Sequence, residues 1–152
     1  MHKPIKRHVS IQPLSREHHQ DLLLCWKIRT GFSKGVQADR IKKYADWFFE
    51  THMKDHFHAE ETHLFPILGE DHELVKKAMA HHRRLTRLFA SKTDLTKTLN
   101  QIEEELEQHV RFEERVLFNE IQAIATPEQL QMIQEVLKDH PFSDNTEDVF
   151  WV

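Results

Sequence analysis

The sequence predicts an all-α protein: an up-down-up-down four-helix bundle closed by a short fifth, C-terminal helix. Three observations carry this. Only three glycines and five prolines interrupt 152 residues, and residues that lose little side-chain freedom in a helix (Lys, Glu, Leu, Gln, Ala) are common. Apolar residues recur at three- and four-residue spacing through long segments, with no strand-like alternation. The turns between those segments are brief, which makes successive helices antiparallel neighbours. A chain of this length buries one core, so residues 1–152 read as a single domain. Its bundle covers about 14–125, its short helix about 127–139, and its tail 140–152.

The first helix opens near Ser15, an N-cap with Glu17 in the first turn, and ends before Gly31 in "TGFSKG". The second runs from about Ala38 to Leu68 and stops at Gly69, with Ile41, Ala45, Phe48, Phe49, Leu64 and Ile67 as its core stripe. The third starts near Asp71, fades around Ser91, and turns Leu74, Ala78, Leu85 and Leu88 inward. The fourth opens near Asp94 and reaches Ala125, carrying Leu99, Ile102, Leu106, Val116, Leu117 and Ile121. The fifth has Thr126 as N-cap, Pro127 in the first turn and Gln129 completing a capping box, and it ends before Pro141. The tail is polar until "VFWV", so Phe150, Trp151 and Val152 are expected to dock on the domain itself or on a protein partner.

Charge and composition exclude several classes. A net charge of −4, from 21 basic and 25 acidic residues, supplies no field for nucleic-acid binding. No apolar run approaches a membrane span, and the basic "MHKPIKRH" is not followed by the apolar run of a signal peptide. The lone Cys25 fits a reducing cytoplasm, so a cytoplasmic protein is expected. The anomaly is 13 histidines.

Some of these histidines repeat. Residues 56–65 read "HFHAEETHLF" and residues 109–118 read "HVRFEERVLF". On a helix His56 and Glu60, like His109 and Glu113, stand about 40° apart and one turn along, on one face. A carboxylate facing a core needs compensation, and a shared metal ion supplies it: imidazole from one turn, carboxylate from the next. Such mixed donors suit iron, manganese or zinc. Two further helices offer "EHHQDLL" and "AHHRRL". His82 continues a row with Val75, Ala78, Met79, Leu85 and Phe89, and His19 continues one with Leu22, Leu23 and Trp26; these rows favour His19 and His82 over His18 and His81. His56 lies about 12 residues before the end of its helix and His82 about 11 after the start of the next, hence level in an antiparallel pair. His52 is placed to support His56; His58, His63, His72 and His140 read as surface residues.

In this order, "REHHQDLL", "HFHAEETHLFPIL", "AHHRRL" and "HVRFEERVLF" resemble the hemerythrin-like family of cation-binding bundles. The resemblance implies two iron ions bridged by Glu60 and Glu113, with His56, His109 and one histidine of each HH pair as further ligands. Position 78 is Ala and 86 is Thr, and the fourth helix has Glu113 four residues after His109. Four histidines and two glutamates are therefore more similar to the sensing and iron-centre-repair branch than to the oxygen carriers. Glu114 reads as a supporting or surface residue. The expected function is a di-iron protein that binds or senses oxygen, nitric oxide, peroxide or iron. Iron-centre repair, peroxide turnover and a metal-free helical interaction module stand as alternatives.

Overall fold

The protein is described by a computed structural model over residues 6–152; Met1–Ile5, part of the basic N-terminal stretch, lie outside it. The described residues form helices and no strand. We number the helices α1 (Gln12–Ser33), α2 (residues 38–68), α3 (Glu73–Ala90), α4 (residues 95–124) and α5 (Pro127–Val136). The two long central helices are not uniform. α2 widens into π turns at Phe49–Met53 and Glu60–Leu64, and α4 does so at Glu113–Leu117. The last two of these open on the glutamates of the repeated boxes, and π turns in α-helices commonly mark functional positions. α4 is the hub, packing against α1, α2 and α3, while α2 also meets α1 and α3.

The helix ends follow local chemistry. α5 carries the capping box, with Thr126 Oγ1 accepting from the Gln129 amide and Gln129 Oε1 accepting from the Thr126 amide. α2 stops where Gly69 takes φ 93°, a backbone conformation that side chains other than hydrogen disfavour. His72, expected on the surface, caps α3 through Nδ1, which accepts from the Leu74 amide. α1 differs from expectation at both ends. It begins three residues before Ser15, whose hydroxyl instead donates to Glu114. It also runs through Gly31 to Ser33. There the missing Cβ admits Ile41 and Phe150, whose side chains would lie 2.9 Å from it. The helix closes instead at Gly35, where the Val36 and Gly35 amides donate to the Gly31 and Phe32 carbonyls in a Schellman pattern.

α1 is also rotated relative to the expected face. Its inward stripe is Leu14, His18, Asp21, Leu24, Cys25 and Ile28, whereas Leu22 and Trp26 are 36% and 46% exposed. The run Leu22–Leu23–Leu24 can bury only part of itself on one helix face, and Leu24 is the member that the neighbouring helices enclose. On α4, Val116 is likewise exposed beside the fully buried Leu117, since adjacent residues on a helix point about 100° apart.

Two apolar clusters form the interior. One gathers Leu24, Ile28, Ile41, Phe48, Phe57, Leu85, Ile102 and Leu106; the other gathers Leu14, Leu64, Phe65, Ala78, Leu117, Phe118 and Ile133. Along each of α1 to α4 the chain passes from one cluster to the other through a histidine or glutamate that is at most 3% exposed. The tail packs on the domain itself. Phe150 is buried against Tyr44 and Trp151, Lys27 donates to Tyr44 Oη and Asp144 Oδ2, and Arg40 pairs with Asp148. Val152 remains exposed. No described helix is long and apolar enough to cross a membrane.

Candidate metal centre

Burying a layer of histidine and glutamate between two apolar clusters costs free energy unless every polar atom is partnered. Here several atoms are not. Both carboxylate oxygens of Glu60, Oε2 of Glu113 and Nε2 of His82 and His109 are buried without a hydrogen bond. They face one another. Donor atoms of His18, His56, Glu60 and Glu113 lie within 4.8 Å of each other, as do those of Glu60, His82, His109 and Glu113. The two groups share both glutamates. His18 Nε2 is 2.9 Å and His109 Nε2 3.2 Å from Glu113 Oε1, while His82 Nε2 and His56 Nε2 are 3.2 Å and 3.4 Å from Glu60 Oε1. His18 and His56 bring their Nε2 atoms within 3.2 Å of each other. Orphaned, converging nitrogens and oxygens fit a pair of cations, each offered two imidazoles and an oxygen from each glutamate.

Of the residues singled out in the sequence, the structure brings together His56, Glu60, His82, His109 and Glu113. It does not bring His19. That side chain is exposed and His18 occupies the interior position, 2% exposed and stacked on Phe118. The reason is the rotation of α1 that buries Leu14, Leu24 and Ile28. A row ending in Trp26 suggested the opposite face, and that row meets solvent. On α3 the expected row is the buried one, and His82 lies between Phe57 and Phe65. His52 instead packs at an angle against Phe48 and edge-on to Phe142.

The outer nitrogens are held as deliberately as the inner ones. His18 Nδ1 meets Glu114 Oε2 at 2.7 Å, His56 Nδ1 meets Glu17 Oε2 at 2.7 Å, and His82 Nδ1 meets Glu61 Oε2 at 2.8 Å. His109 Nδ1 meets His81 Nδ1 at 2.9 Å. An acceptor at Nδ1 keeps the proton there, leaves Nε2 free to face the centre and raises its basicity. Glu114 is anchored in turn by Ser15 and Arg7. The doubled glutamate of each box is the sequence signal for Glu61 and Glu114, whereas no local pattern pairs Glu17 or His81 with a histidine of another helix. The first glutamate turns inward and the second reaches the histidine of a neighbouring helix. The phenylalanine ending each box does likewise, Phe65 against His82 and Phe118 against His18.

Protonation follows this wiring. Burial alone would depress His18, but its bonds to Glu113 and Glu114 outweigh it and lift the pKa to about 10. His82, similarly opposed by burial, is raised to about 9 by Glu60 and Glu61. His56 is raised well above its usual value despite burial, chiefly by the charge of Glu60 and the bond to Glu17. Burial would raise Glu113; His109 and His18 instead hold it well below the carboxylate range. His81 goes the other way, pushed down to about 4 by burial and by its neighbours His109 and Lys77. In the metal-free chain, protons on His18, His56 and His82 therefore offset the negative charge of the buried layer, and a cation would have to displace them.

Two grooves reach the outer partners from solvent. One of about 160 Å³ is lined by Glu17, His56, His63 and His140, and one of about 710 Å³ by Phe57, Glu61 and Lys54. The chain matches no family model, and no curated protein or solved structure matches it significantly.

Proposed function

We propose that the protein is a hemerythrin-like four-helix bundle that holds two iron ions and binds or senses a small ligand: oxygen, nitric oxide, peroxide or iron itself. Manganese or zinc can occupy the same donors. The observation that carries this reading is the buried convergence of four imidazoles and two shared glutamates, with unpartnered atoms aimed at one another. His18 and His56 would hold one ion, His82 and His109 the other, and Glu60 and Glu113 would contact both. Such ions, with four protein donors each, would supply open coordination positions for a diatomic gas or peroxide. The chain's own part is to fix the tautomers through Glu17, Glu61, Glu114 and His81, and to exclude bulk water with Phe57, Phe65 and Phe118.

The reading is tested by metal analysis and absorption spectra of protein loaded with ferrous iron. Two ions per chain are expected, with ligand-to-metal charge-transfer bands after exposure to air. His18→Gln is expected to lose iron while His19→Gln keeps it. Saturation below two ions per chain, or equal loss in the two variants, refutes it.

A further inference from the structure

The two halves of the centre are built from repeated parts, which makes any departure from the repeat visible. His56, Glu60, Glu61, Leu64 and Phe65 of α2 recur as His109, Glu113, Glu114, Leu117 and Phe118 of α4. His18 of α1 corresponds to His82 of α3: each packs on the phenylalanine of one box and gives Nδ1 to its second glutamate. The residue preceding this histidine completes the ring of outer partners, and there the repeat breaks. Glu17 accepts from His56, whereas His81 stands opposite His109. A second break follows three residues later: Asp21, 1% exposed, with Oδ1 unpartnered, stands where α3 has Leu85.

The inner donors of the halves are equal in kind, two imidazoles and both shared glutamates, so the outer shell must distinguish them. With Nε2 turned to the centre, each ligand histidine donates from Nδ1. A carboxylate acceptor draws that proton outward, increases negative charge on the imidazole and adds an anion at short range. His81 accepts from His109 only as a neutral imidazole, with its own proton on Nε2. The His18–His56 half is thus backed by two carboxylates, Glu114 and Glu17, and the His82–His109 half by one, Glu61.

We propose that the two halves hold their ions unequally: the His18–His56 half retains its ion, and the His82–His109 half releases and reloads. Glu17 and His81 are the positioning residues that set the difference. The inference rests on the two-ion reading above, and it makes the one-ion state a regular form of the protein.

The test is release of ferrous ion under anaerobic conditions from fully loaded protein into excess chelator, with metal per chain followed in time. Wild type is expected to release one equivalent at least about tenfold faster than the other, as removing an outer partner changes metal affinity by roughly 10- to 100-fold. His81→Glu is expected to slow the fast equivalent toward the slow one. Glu17→His is expected to accelerate the slow equivalent, so the two exchanges move opposite phases and neither depends on the other variant folding. Two equivalents leaving in a single phase from wild type overturns the inference and leaves the two-ion reading standing. Both variants altering the same phase overturns it too. Saturation below two ions in wild type overturns the two-ion reading and the inference with it.

Discussion

Loading the centre at pH 7 is expected to expel about three protons per chain. His18 and His82, with pKa values of about 10 and about 9, are each essentially fully protonated there, and His56 is raised in the same direction. An imidazole cannot bind a cation through Nε2 while that nitrogen carries a proton, so three sites must be vacated. The apparent affinity for the pair of ions then climbs by about three decades per pH unit between pH 6.5 and 8. The same linkage fixes the sign for the metal-free fold. These histidines have folded pKa values above the unfolded value of about 6.5. Their stabilising contribution is fully present below about pH 6.5 and is lost as pH rises toward 9 to 10. Metal-free protein should therefore melt lower at pH 9 than at pH 6.5, while the gain in Tm on adding metal widens over that interval. Calorimetric titration in buffers of different ionisation enthalpy counts the protons, and paired melts give the pH trend. Release of fewer than one proton, or a Tm increment that shrinks from pH 6.5 to 9, would refute the assignment of these histidines as cationic partners of Glu60 and Glu113.

Two further changes probe the layer and the docked tail. Glu113→Ala removes the inner partner of both His18 and His109 at a position with no exposure, and is expected to cost about 3–5 kcal/mol in metal-free protein at neutral pH, measured by urea unfolding; a loss under about 1 kcal/mol would mean that His18 is neutral there. Phe150→Ala empties the cleft formed by Gly31, Ile41 and Tyr44 and is expected to cost about 3–5 kcal/mol while leaving two-ion capacity intact, whereas loss of metal without loss of stability would show that the tail serves the centre rather than the core.

Much of this protein is written in local sequence. The five helices, the capping box at Thr126, the stop at Gly69 and the inward pairing of His56 with Glu60 and His109 with Glu113 depend only on neighbours within a few residues. Each is set by backbone preference or by the 100° step of a helix. The sequence also favours His82 over His81 as the inward residue, because it continues the row of Val75, Ala78, Leu85 and Phe89. What local periodicity cannot fix is the rotation of a helix whose faces are nearly balanced. α1 has Leu22, Leu23 and Leu24 in succession and Trp26 nearby, so the choice between His18 and His19 rests on the summed packing against α2 and α4. That packing encloses Leu24 and Ile28, admits Phe150 at Gly31, and accepts a buried Asp21 and Lys27 that no sequence stripe would nominate. The outer partners are decided in the same way. Glu17 with His56, Glu61 with His82, Glu114 with His18 and His81 with His109 each join two helices. Only the docked tertiary structure brings such side chains within hydrogen-bond range, because their pairing depends on interhelical distance and rotation, which no single helix encodes.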